Sequence, residues 1–166
     1  YFGRGPEENY CDRNNGTLVG EYQATAEQMY FPYVRPQENG HHTDTRWLML
    51  KKKNGKGLAV YADGTLEFNS LRNSIEDFDG EEAVQRDYQW NNRDAEELKH
   101  DVSTAKNIKP RQTHINDITP RDFVEVCLDM RQMGVGGFDS WGAVPDPQYL
   151  IPANKEYQWG FTIVPM

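Results

Sequence analysis

Two turn dipeptides set between short apolar runs constrain this chain more than any other feature. Trp47-Leu-Met-Leu50 runs into Asn54-Gly55, Leu58-Ala-Val-Tyr61 runs into Asp63-Gly64, and Leu66-Glu-Phe68 closes the series. Asn-Gly and Asp-Gly favour the positive backbone angles of two-residue hairpins, so the pattern predicts three antiparallel strands in a meander. Further strands are expected over Thr17 to Tyr22, Met29 to Val34, Tyr149 to Ile151 and Tyr157 to Val164. In Val124 to Met130 the apolar residues Val124, Val126, Leu128 and Met130 alternate with period two, as in a strand with one buried face. Thr113 to Ile118 reads as extended and Tyr1 to Arg13 as an ordered loop. Ala24 to Gln28 suits a brief helical turn, and Arg93 to Ala105 a helix with Leu98 and Val102 on one face. Many short strands with so little helix indicate an all-β antiparallel sandwich, in a single domain over residues 1–166.

Composition narrows the function. A formal charge of −8 argues against a nucleic-acid partner, which demands clustered Lys and Arg. The one basic run, Lys51-Lys52-Lys53, sits beside a turn signal and reads as a solvated hairpin end. No apolar run approaches the roughly 20 residues of a membrane-spanning helix, so no membrane partner is expected. Cys11 and Cys127 fit no metal-ligand spacing; they leave room for one disulfide but read better as two unpaired thiols. The chain opens on Tyr-Phe-Gly-Arg, as expected of a piece of a longer protein, and carries no signal that assigns a compartment. Residues 74–97 are acidic and polar, and read as a surface insertion pinned by Tyr88 and Trp90.

No complete catalytic set emerges from the side chains. Carboxylate pairs such as Glu7-Glu8 and Glu81-Glu82 lie in polar runs that read as solvated surface. Asp77-Phe-Asp79-Gly80 is similar to a calcium loop, but Ile75 and Arg86 would occupy its first and last ligand positions, and the match fails. His41-His42 lacks a supporting ligand and reads as a surface pair. No metal or cofactor is expected in the chain itself. What remains is the segment Gly134-Val-Gly-Gly-Phe-Asp-Ser-Trp-Gly142, a glycine-rich loop with Trp141 near its exit. Gly136 and Gly137 permit sharp turns, and Asp139 and Ser140 can brace them through side-chain bonds to backbone. A flat aromatic face on a braced loop, alongside Asp, Glu and Asn, suits a sugar, whose C–H face stacks while its hydroxyls hydrogen-bond.

Longer motifs carry a resemblance. Tyr1-Phe-Gly-Arg-Gly-Pro-Glu-Glu-Asn-Tyr10 with Asp12-Arg13, Tyr33-Val34 with Pro36-Gln-Glu-Asn-Gly40, Thr43-Asp-Thr-Arg-Trp47, His114, and the loop through Trp141-Gly142 stand in one order. Together they resemble the large multi-domain β-galactosidases of glycoside hydrolase family two. The resemblance implies roughly the second half of the C-terminal supersandwich domain, related in fold to galactose mutarotase. It implies that the two catalytic glutamates and the magnesium and sodium sites lie in other domains, and that a galactoside and those domains are the partners. The residue matching Trp141 is a substrate-stacking wall on the leaving-group side. Phe138 departs from the family, where many relatives carry an Asp. Arg4 with Glu8, and Glu38 with Arg46, are expected as structural polar pairs fixing loop geometry.

Two other readings follow from the same residues. A free-standing carbohydrate-binding module would show saturable binding of galactose or lactose by the isolated chain. An aldose epimerase would use a His and a Glu, here His114 and Glu38, and would act on α-galactose in a polarimeter. A half sandwich is further expected to expose a sheet edge, and either to self-associate through it or to hold a core compact enough to ignore the loss.

Overall fold

The computed structural model describes residues 1–75, 77–78, 114–139 and 142–166, which form two compact units. The first comprises Tyr1–Phe31, Asn39–Leu71 and Val126–Met166; the second comprises Pro32–Glu38 and Arg72–Glu125. The fold is all-β, of the sandwich class. Its described strands are β1 (Phe2–Gly5), β2 (Leu18–Glu21), β3 (His42–Lys51), β4 (Gly57–Leu71), β5 (Glu125–Asp129) and β6 (Phe161–Pro165). They make one sheet in the order β2-β1-β3-β4-β5, with β6 also paired to β4. The β1–β2, β1–β3, β3–β4 and β4–β6 pairs are antiparallel.

The first hairpin forms where Asn54-Gly55 places it, between β3 and β4, with Leu48 opposite Val60 and Leu50 opposite Leu58. The second does not form. β4 runs through Asp63-Gly64 without reversing, because β6 arrives from the far end of the sequence and pairs Ala62 with Phe161. The turn dipeptide becomes a bulge instead. The register passes from Trp47↔Tyr61 to Thr45↔Leu66, so Ala62 to Thr65 face only Arg46, and Gly64 takes up the bend at φ +94°.

Tyr1 to Arg13 is likewise not all loop, since β1 lies between β2 and β3 and is bonded to both. Met29 to Val34 makes no strand: α1 (Ala26–Met29) occupies its start, capped by Thr25, whose hydroxyl takes the Gln28 N–H while Gln28 reaches back to the Thr25 N–H. Short 3₁₀ turns at Ile115–Asp117 and Pro147–Tyr149 replace the extended segments expected there. The helix expected over Arg93 to Ala105, and nearly all of the acidic segment, lie outside the described residues.

Leu48, Val60, Leu66 and Phe68 form the core, with Tyr1, Met29, Leu50, Ala62, Val126 and Leu128 packed against them. The period-two reading of β5 therefore places Val126 and Leu128 inward. By contrast, every residue of β6 is exposed.

His41 and His42, expected at the surface, are both buried. The His42 ring stacks on Phe68 and meets Tyr1 edge-on, and its nitrogens face the Gly40 and Pro6 carbonyls at 2.9 and 3.3 Å. Burial pushes its pKa below the ordinary 6.5; His41 adds to that, while the two carbonyls and Glu8 oppose it. The native protein thus keeps His42 neutral where the unfolded chain protonates. Its contribution is present above the unfolded value of 6.5 and is lost as pH falls from there through the lower folded value. The thermal midpoint should accordingly drop between about pH 8 and about pH 5, and His42→Gln should flatten part of that slope in a pH series of melting curves.

Candidate functional site

The lower half of β4, from Leu66 to Leu71, is buried on both faces. Leu66 and Phe68 point into the core, so strand alternation turns Glu67 to the opposite side. That side is not solvent. His41 lies against it fully buried, with its Nε2 2.8 Å from Glu67 Oε2. Tyr10 stacks flat on the His41 ring, its centroid 5.3 Å away. Asp129, at the end of β5, completes the charged group. Its pKa is raised chiefly by burial and further by Glu67, and His41 pulls the other way.

The glycine loop begins on this group. Glu67 Oε2 accepts the Gln132 N–H at 2.6 Å, and the Cys11 thiol donates to the Gln132 carbonyl at 3.4 Å. Cys11 and Cys127 remain thiols, as expected. The Gly134 N–H reaches the Tyr149 carbonyl at 2.9 Å, and the Gly136 N–H reaches Asp12 Oδ2 at 2.7 Å. The approach leaves little room for side chains: a Cβ on Gly134 would stand 2.6 Å from Asp12 Oδ2 and 2.8 Å from Tyr149 Cβ, and one on Gly136 3.0 Å from Asp12 Oδ2. Gly137 packs as closely on Ala143, whose carbonyl oxygen would lie 2.8 Å from an added Cβ. At the tip, Asp139 Oδ1 accepts the Ala143 N–H at 3.2 Å, and Phe138 is 93% exposed. Ser140 and Trp141 lie outside the described residues.

The N-terminal motif supplies the frame around this loop. Asn9 Oδ1 takes both the Thr43 N–H and the Thr43 hydroxyl, while its amide nitrogen donates to the Arg4 and Glu7 carbonyls. The expected Arg4–Glu8 pair is corrected. Arg4 Nε bonds Asp44 Oδ2 at 2.5 Å, and Glu8 takes Arg13 and the Gly40 N–H. Proximity at i, i+4 belongs to helices, and β1 is extended, so its side chains meet the neighbouring strand instead. Asp44 sits in the β3 bulge at φ +54°, a conformation Asp tolerates, and this aims its carboxylate at Arg4. Arg46 donates to the Asp44 carbonyl and lies over the Phe2 ring, while Glu38 belongs to the second unit.

His114 is exposed and faces Asp117 at 3.3 Å within the second unit. Also in that unit, Asp77 is clasped by the Arg121 guanidinium through two bonds of 3.0 and 2.5 Å. Among the described residues no group of three or more His, Cys, Asp or Glu side chains is arranged to hold a metal ion. From sequence, Glu67 and Gln132 carried no assigned role, His41 read as surface, and Asp12 stood only as part of a motif. The one available signal was Glu67 itself, a charge set between the apolar residues Leu66 and Phe68 of β4.

The chain is similar to known proteins along its whole length. A family described as "Beta galactosidase small chain" matches residues 1–163. A protein of Priestia megaterium named "Beta-galactosidase" is 31% identical over 169 residues, covering 100% of this chain and 13% of that protein. Its namesake in Streptococcus thermophilus is 32% identical over 167 residues, again 100% of this chain and 13% of the relative. One from Vibrio cholerae is 30% identical over 163 residues, 98% of this chain and 12% of the relative. The chain therefore spans about 13% of the length of the relatives it matches.

Proposed function

The chain belongs to the β-galactosidase small-chain family, and from that premise we propose that it works as part of the C-terminal supersandwich, galactose-mutarotase-like domain of a glycoside hydrolase family two enzyme. The parent enzyme hydrolyses terminal β-D-galactosides with retention, which requires two carboxyl groups flanking the glycosidic bond. Those carboxylates, and the magnesium and sodium of the family, belong to other domains. This chain contributes Trp141 as an aromatic wall that stacks on the C–H face of the sugar on the leaving-group side. Its partners are the galactoside and the rest of the parent enzyme.

The observation that carries the reading is the anchoring of the loop leading to Trp141. Backbone donors at Gln132 and Gly136 end on carboxylates from β4 and from the N-terminal motif. A binding wall is useful only if it is already in place when substrate arrives, since ordering a loose loop subtracts from affinity. In the full-length enzyme, Trp141→Ala should raise KM for lactose about tenfold with a smaller change in kcat, as expected when contact made equally in ground and transition states is lost. Transfer to sugar acceptors should fall with it. Unchanged kinetics on lactose would end this reading.

A further inference from the structure

We propose that Asp12 is a positioning residue for the substrate wall, acting through the loop and not on the sugar; this rests on the reading of Trp141 above. Asp12 stands 124 residues before Gly136 in the chain, yet its Oδ2 takes the Gly136 N–H at 2.7 Å. A carboxylate accepting a backbone N–H makes a charge-assisted bond, shorter and stronger than a neutral one. The loop is built around this contact: its path past Asp12 tolerates no Cβ at Gly134 and barely one at Gly136. Asp12 Oδ1 is buried and has no hydrogen-bond partner among the described residues. An apolar residue in its place would avoid that cost, so the carboxylate is kept for what Oδ2 does.

Two further contacts make the placement decisive. Upstream, Glu67 fixes Gln132, so the segment from Gln132 to Gly136 is pinned at both ends. Downstream, the bond from Ala143 N–H to Asp139 Oδ1 ties together residues that flank Trp141 in sequence. The course of the loop toward those residues is then set where it is held, at Gly136. Small displacements of a binding group have large consequences for affinity, which is why supporting contacts of this kind matter.

The test is a set of variants of the full-length enzyme. Asp12→Ala should raise KM for lactose about tenfold while kcat stays within roughly twofold, and Asp12→Asn should restore most of it, because an amide oxygen still accepts the Gly136 N–H. Combined with Trp141→Ala, Asp12→Ala should add less than about a twofold further change, since both act through one group. Hydrogen exchange over residues 133–139 should rise in Asp12→Ala and return in Asp12→Asn, whatever Trp141 does. If Asp12→Ala does not fold, Gly136→Ala serves: its methyl group would press on Asp12 Oδ2 and should raise KM in the same way. A KM that responds to Trp141→Ala but not to these variants overturns the positioning role. If Trp141→Ala leaves KM unchanged, the wall itself fails; unaltered loop exchange in Asp12→Ala then overturns the proposal separately.

Discussion

Phe68→Ala should cost the fold about 3–5 kcal/mol, the usual range for emptying a buried aromatic site. Phe68 is 1% exposed and lies among Leu48, Val60 and Leu66. Its ring is met edge-on by Tyr1 at 5.2 Å and stacked by His42 at 5.3 Å. These neighbours belong to two strands, β3 and β4, and the N-terminus, and they are held by the sheet, so they cannot collapse into the space left. Both the lost contact and the residual cavity therefore count. Chemical denaturation of the full-length enzyme should show the loss as a lower midpoint for the transition that contains this domain. Phe138→Ala is the control. That side chain is 93% exposed, and its removal should change stability by less than about 0.5 kcal/mol. Equal effects of the two variants would mean that the core is not organised around Phe68.

Glu67→Ala should have the next largest effect, about 2–4 kcal/mol, because it leaves two buried groups without their acceptor. One is the His41 ring nitrogen, 2.8 Å from the carboxylate, and the other is the Gln132 N–H at 2.6 Å. With 11% of the Glu67 side chain exposed, water can replace little of what is lost. Glu67→Gln keeps an oxygen in place and should recover most of the stability. The consequence reaches the loop as well. Exchange of the Gln132 amide should accelerate in Glu67→Ala and be largely normal in Glu67→Gln, which hydrogen exchange read by mass spectrometry can resolve. Wild-type stability and wild-type exchange in Glu67→Ala would show that the carboxylate holds neither group.

These two residues are adjacent on β4, and they illustrate how much of the molecule was legible in advance. Leu66-Glu-Phe68 reads as a strand with one apolar face, and Phe68 does face the core. The same alternation sends Glu67 the other way, where a lone strand would meet water. Only the return of the chain at Gln132, and the burial of His41, turn that face into an interior. The histidine pair shows the same thing. Side by side in a polar segment, His41 and His42 carry no mark of burial, yet His41, just before β3, is buried against Tyr10 and Glu67, and His42, its first residue, is buried against Phe68 and Tyr1. Asp63-Gly64 failed as a hairpin for a related reason: its strand found a partner about a hundred residues later, in β6.

Of the candidate site, the sequence singled out the glycine loop and offered Asp139 as its brace, a bond the structure shows to the Ala143 N–H. Motifs in a fixed order also carried the likeness to β-galactosidases, which the small-chain family match over residues 1–163 bears out. Those are properties of short stretches, set by backbone angles, turn chemistry and side-chain type, and they can be read without a fold. The tertiary structure alone decided who holds the loop. Asp12, Glu67 and His41 are distant from it in sequence, and their roles arise from desolvation and hydrogen-bond geometry. Arg4 likewise takes Asp44 in place of Glu8 because an extended strand presents side chains to its neighbour across the sheet. Local chemistry chose the elements; the pairing of distant backbone and the exclusion of water chose their partners.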